Sequence, residues 1–98
     1  MNNWKKYTVN IGYVKEKTSR LVQFESKTTL HIQHISPGCT SCTKFIDYKD
    51  NTLTLRYEAS EFPKHLINEK ESPIRKYVTV YYEDGSREQL NFVGFLIR

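Results

Sequence analysis

An all-β domain with two packed sheets follows from three features of this chain of 98 residues. Apolar and polar residues alternate with a period of two in nearly every segment, and no segment carries apolar positions at helical spacing. Turn-forming residues recur roughly every 8 to 12 positions, the rhythm of a sandwich built from short strands. Rings supply 13% of the residues within a hydrophobic share of 38%. Each ring buries a large area, so a thin core between two sheets suffices for a short chain. The length makes one domain, residues 1–98. The expected architecture is an immunoglobulin-like β-sandwich of about seven antiparallel strands.

The first strand is expected over residues 4–14, with Tyr7, Val9, Ile11 and Tyr13 on one face. A polar turn over 15–18 leads to a second strand, 21–25, where Val22 and Phe24 oppose Leu21 and Gln23. Residues 29–35 make the third, with Leu30, Ile32 and His34 opposed to His31, Gln33 and Ile35. The Ser36-Pro37-Gly38 turn opens onto the only cysteines, Cys39 and Cys42. A short strand over 45–48 follows, then the tight turn Asp50-Asn51, then the cleanest alternation in the chain. This is 52–57, with Leu53, Leu55 and Tyr57 on one face. Residues 59–73 hold two prolines and several charges, and read as a crossover loop with room for one helical turn near Phe62 to Leu66. The last third is a hairpin, 74–83 and 87–97, around Asp84-Gly85, a strong hairpin signal. Gly94 inside the final strand marks a bulge or a close backbone approach.

Fifteen Lys and Arg against 11 Asp and Glu give a net charge of +4. The close basic pairs, Lys5-Lys6, Lys15 with Lys17, and Arg75-Lys76, are scattered along the chain. Nucleic-acid binders usually show a basic stripe or a module signature, and neither is present. An acidic protein surface suits this charge at least as well. No apolar run approaches the ~20 residues that span a bilayer. The first residues lack the apolar stretch and cleavage site of a secretory signal. These features lead to the expectation of a soluble protein folding in the cytoplasm where it is made, its cysteines kept as thiols.

Cys39 and Cys42 allow three chemistries. Zinc takes four ligands, of which this pair supplies two, leaving His31, His34 and His65 as candidates for the rest. His34 stands nearest the turn, and His31 should face the opposite side of the strand. A thioredoxin-like redox pair wants a helix N-terminus after the first cysteine, whereas Lys44-Phe45-Ile46-Asp47-Tyr48 is strand-like. The preferred reading is a pair of small, buried or half-buried thiols packing a turn, with no metal and no cofactor, and free to oxidise to a disulfide outside the cell. The chain has no glycine-rich phosphate loop, and its serines lack a motif that would join them to a histidine and an acid. The runs Glu69-Lys70-Glu71 and Glu83-Asp84 are expected as solvated surface. The expectation is a protein that is not an enzyme.

Several segments combine into a family pattern. Ile11-Gly12-Tyr13-Val14 ends the first strand, Phe24 marks the second, and Leu30, Ile32 and Ile35 precede the cysteine turn. The alternating strand near Leu53, Val78 with Val80, Asp84-Gly85, and Leu90, Phe92 and Gly94 complete it. This order resembles the small immunoglobulin-like domains of the ASPM, SPD-2 and Hydin group, including a bacterial set with a Cys-Gly-Cys-Thr turn. Here Cys39-Thr40-Ser41-Cys42-Thr43 stands at the position of that turn. The resemblance implies binding or scaffolding. With Met1 opening a domain that has no signal or anchor, it leads to the expectation of an auxiliary (decoration) protein on a large assembly. The assembly expected is the capsid of a tailed bacteriophage, bridged by many copies through multivalency. Trp4, Tyr7, Tyr81, Tyr82 and the loop at Phe62 are the candidate contacts, the competing assignment being that they form the core. The alternatives are a small metal- or redox-responsive binder centred on Cys39 and Cys42, and a cytosolic adaptor or carbohydrate-binding module.

Overall fold

A computed structural model describes residues 2–98 of the chain. Its strands are β1 (Thr8–Lys15), β2 (Ser19–Glu25), β3 (Ile32–Pro37), β4 (Thr43–Lys49), β5 (Thr52–Glu58), β6 (Glu71–Tyr82) and β7 (Arg87–Ile97). They form a four-stranded sheet in the order β1-β7-β6-β3 and a three-stranded sheet in the order β2-β5-β4. Val22, Phe24, Leu53, Leu55 and Tyr57 of the smaller sheet meet Ile74, Val78, Val80, Leu90 and Phe92 of the larger in one core. The Tyr57 and Phe92 rings touch edge-on across the two layers, with centroids 5.5 Å apart. The arrangement is sandwich-like and all-β.

One pairing departs from the expected antiparallel pattern: β1 runs parallel to β7. No hairpin joins these two strands, since the rest of the chain lies between them, so loop geometry leaves either direction open. After the turn at Glu16 and Lys17 the chain crosses to the other sheet as β2.

Two bulges overturn expected faces. In β1, Asn10 pairs with Val93 and Tyr13 with Phe95, which inserts one extra residue at Gly12. Gly12 supplies the needed backbone at φ 73°, and its N–H donates to Asn10 Oδ1 at 2.8 Å. The alternation therefore flips: Ile11 and Val14 point into the core and Tyr13 points out, 62% exposed. In β3 a register shift falls between Ile32 and His34. Leu30, Ile32 and Ile35 consequently all pack against the core, although Ile35 was expected to oppose the other two.

Residues 59–70 form no helix; Leu66 N–H bonds Pro63 C=O and Glu69 N–H bonds Leu66 C=O, two separate turns. Phe62 tucks into the core, and Arg98 lies 4.2 Å above its ring while donating to Leu66 C=O at 2.9 Å. β6 begins three residues earlier than expected and includes Pro73, which pairs with Phe95. This proline is tolerated because β3 joins β6 only from Val78 onward, leaving no ladder on the other side of Pro73. Asp50 and Asn51 take φ of 53° and 60°, as the expected hairpin turn requires. Gly85 does the same at φ 92° in the Asp84-Gly85 turn.

Trp4 was expected inside the first strand. It instead makes an isolated bridge to Ser26 and is 1% exposed, packed edge-on against Phe24 and Tyr48. Its indole N–H donates to Tyr82 OH at 2.8 Å, and Tyr82 OH donates to Glu88 Oε1 at 2.6 Å. Tyr7 OH donates to Glu88 Oε2 at 2.6 Å, and Asn3 Nδ2 to Oε1 at 2.8 Å. One carboxylate thus ties the N-terminal segment to the β6–β7 hairpin.

Burial works to raise the Glu88 carboxyl, but the hydrogen bonds from Tyr7, Tyr82 and Asn3 outweigh it and hold it below its ordinary 4.5. A carboxyl lowered in the folded state contributes stability that is complete above the ordinary value and is lost as pH falls through the folded one. Burial, then the hydrogen bond to Glu88, raises the Tyr82 hydroxyl above its ordinary 10.0. That contribution is complete below the ordinary value and is lost as pH rises through the folded one. Glu88→Gln is expected to flatten the acid limb of a plot of urea midpoint against pH below about pH 5. Glu25 and Asp84, also lowered, are unchanged in the variant, so the difference in slope isolates Glu88. Superimposable acid limbs would refute the role given to Glu88.

Candidate interaction surface

The long β6–β7 hairpin and its flanking strands lay the outward side chains of the larger sheet into rows. Tyr13, Phe95 and Pro73 share one row, and Asn10, Val93 and Arg75 the next. Thr8, Asn91 and Tyr77 follow, then Gln89, Thr79 and Ser36, then Arg87, Tyr81 and His34. Tyr13 and Phe95 lie with centroids 5.9 Å apart, and the His34 ring stacks on Tyr81 at 6.0 Å. Tyr77 is 47% exposed and Phe95 39% exposed. A shallow open groove of about 670 Å³ runs along this face between Thr8, Tyr77 and Phe95. Arg75 and Arg87 lie within these rows, and the row beyond Phe95 adds Lys15 and one carboxylate, Glu71, on either side of Ile97.

Rings on a pleated sheet lose little freedom when covered, because the backbone beneath them is already fixed. Aromatic and arginine side chains together are the composition of interface anchors. The other exposed apolar side chains, Leu21, Phe45, Ile46 and Ile67, are scattered on β2, β4 and the 59–70 loop. At the β4 edge the ladder shifts between Phe45 and Asp47, and the flanking Lys44 and Lys49 are exposed. A bulge and edge lysines oppose pairing with another strand.

The expected contact residues divide. Tyr81 lies on the outer face, half-buried beside His34. Tyr7 is half-buried and bonded to Glu88. Trp4, Tyr82 and Phe62 are core residues, which corrects their assignment as contacts: each fills the space between the layers. Tyr13, Tyr77 and Phe95 were missed. For Tyr13 the signal was present as the Gly12 step, since a glycine inside a strand marks a bulge that reverses the faces beyond it.

Cys39 and Cys42 are joined as a disulfide, which corrects the expectation of two thiols. The turn brings their Cα atoms to 5.5 Å, inside the range of about 4.4 to 6.8 Å that a disulfide needs. Thr43 N–H bonds Cys39 C=O at 3.0 Å and closes the turn. The candidate zinc partners stand apart: His34 is stacked on Tyr81, and His31 and His65 are exposed. No group of three or more His, Cys, Asp or Glu side chains among the described residues is placed to hold a metal ion. No helix among them is long and apolar enough to cross a membrane.

No protein-family model, curated protein or solved structure matches the chain. The fold and this face define a class: a seven-stranded, sandwich-like all-β domain with an open aromatic and basic sheet surface.

Proposed function

We propose that the domain is an immunoglobulin-like binding module that docks, through the outer face of β1-β7-β6-β3, onto an acidic protein surface of a larger assembly. The strand order supports the immunoglobulin-like reading. β2, β5 and β4 take the places of strands B, E and D, and β3, β6 and β7 those of C, F and G, with β1 beside β7. The binding reading rests on one observation: Tyr13, Phe95 and Tyr77 are exposed together on a rigid sheet, bordered by Lys15, Arg75 and Arg87. Such a face supplies apolar anchors and a complementary field for carboxylates. The assembly we favour is a tailed-phage capsid, where many weak contacts of one copy each sum to tight attachment. No step of this function is catalytic.

Co-sedimentation with such capsids tests the reading. Wild-type protein is expected to pellet with the particles, and less so at high salt. A Tyr13→Ser/Phe95→Ser double variant removes two exposed anchors and is expected to bind at least about tenfold more weakly, at an unchanged melting temperature. A protein that stays in the supernatant, or a double variant that pellets equally well, would sink the proposal.

A further inference from the structure

We infer that the Cys39–Cys42 disulfide is a reversible thiol–disulfide exchange site whose redox state is transmitted to Tyr77 on the outer face. The exchange chemistry stands by itself, and its effect on docking rests on the reading of that face given above.

The site is accessible. Gly38, Thr40 and Ser41 of the turn are exposed, and both cysteines are half-buried. Cys42 packs against the core, which leaves Cys39 as the outer sulfur. The loop closed has a sequence separation of 3, so the cross-link removes little unfolded-chain entropy and adds little to global stability. Opening it is therefore compatible with an intact fold. The reduced form also finds its hydrogen bonds in place. Cys42 Sγ lies 3.7 Å from Cys39 C=O, an acceptor for the thiol, and Cys39 Sγ lies 3.5 Å from the Ser41 hydroxyl.

The reductant is a dithiol. Its thiolate attacks Cys39 Sγ and forms a mixed disulfide, while Cys42 leaves as a thiolate and takes up a proton. The second thiol, losing its proton to solvent, then attacks the mixed disulfide at the reductant's own sulfur. Cys39 leaves as a thiolate and is protonated in turn. The protein gains two electrons and two protons, and the dithiol loses the same and becomes a disulfide.

Gly38 carries the signal. A Cβ built on Gly38 would lie 2.6 Å from Tyr77 Cζ, so the tyrosine ring rests directly on this backbone. Gly38 N–H also donates to Tyr77 C=O at 3.0 Å. The residue supporting the ring is covalently next to Cys39. Freeing the turn from its cross-link alters the platform under Tyr77, and with it the middle of the docking face. Coupling of this kind is reciprocal: a partner that prefers one redox state shifts the exchange equilibrium by the same factor.

The experiment equilibrates the folded protein with dithiothreitol buffers of graded redox ratio. Alkylation and mass measurement give the fraction reduced, and ring resonances of Tyr77 are followed by NMR without any partner. The expected result is full, reversible reduction with the fold retained, accompanied by a shift of the Tyr77 ring signals that a Cys39→Ser/Cys42→Ser variant reproduces. Gly38→Ala, which displaces the ring directly, should move the same signals with the disulfide intact. Reduced protein should then bind capsids about fivefold or more weakly, or more tightly, than oxidised protein. A disulfide that resists dithiothreitol while folded, or one that opens without moving Tyr77, overturns the inference. If capsid binding is absent in both states while Tyr77 responds, the exchange site stands and the docking assignment is what fails.

Discussion

Trp4→Ala is expected to destabilise the domain by about 4 kcal/mol, the middle of the range for removing a buried aromatic side chain. The indole is 1% exposed and closes one end of the core against Phe24 and Tyr48. Alanine would leave a cavity there and withdraw the N–H that Tyr82 OH accepts. Other anchors of the segment holding Trp4 include backbone bonds from Lys5 N–H to Glu25 C=O, from Lys27 N–H to Asn3 C=O and from Asn91 N–H to Tyr7 C=O, the exposed Lys5–Glu25 ion pair, and the Asn3 and Tyr7 contacts with Glu88. At roughly 4 to 8 °C per kcal/mol for a domain of this size, the melting temperature should fall by about 15 to 30 °C. Trp4→Phe keeps much of the volume but loses the polar handle and part of the ring packing, so it should lie between the two. Urea unfolding followed by circular dichroism measures all three. A loss under about 1 kcal/mol for alanine would mean that the N-terminal segment is not part of the cooperative core. Trp4 is also the sole tryptophan, so its fluorescence reports whether this segment is docked.

The second large effect is expected at Gly94. An added Cβ would stand 2.5 Å from Gly12 C=O and 2.9 Å from Ile11 Cγ1. Neither neighbour yields easily: the first is backbone in the β1 bulge, the second a core side chain. Gly94→Ala should therefore cost about 3 kcal/mol, at the upper end for overpacking, and push β1 away from β7. Gly85→Ala is the informative contrast. Its site is open, with nothing within 4 Å, and only its φ of 92° opposes a side chain. It should cost about 1 kcal/mol. Equal losses at the two positions, measured by urea midpoints, would show that close approach to β1 is not what requires the glycine at 94.

Local pattern carried much of this fold. The alternation of 52–57 and of Val22 with Phe24 placed the inward faces of β5 and β2, because the ladder between these two strands runs without a register shift and the one shift against β4 inserts its extra residue in β4. Asp50-Asn51 and Asp84-Gly85 placed two turns, since few residues accept positive φ. Gly94 was legible as a close approach. The errors at Tyr13 and Ile35 share one cause. A single extra residue reverses every side chain beyond it, and a bulge is fixed by the partner strand, which lies far away in sequence. The direction of β1 against β7 leaves no local mark either. Tyr77 and Phe95 alternate on their strands like any surface residue. Their gathering with Tyr13 into one face depends on the register of three strands, and only the assembled sheet displays it.

The parallel pairing of β1 with β7 has a mechanical consequence. Because the two strands run in the same direction side by side, chain entering β1 and chain leaving β7 depart from opposite ends of their ladder. Tension applied between those ends therefore acts along the strands and loads the interstrand hydrogen bonds together, in shear. An antiparallel pair pulled the same way would open like a zipper, one bond at a time. Gly94 lets β1 lie close enough to keep that ladder tight, so the smallest side chain in β7 also sets the grip of a clamp.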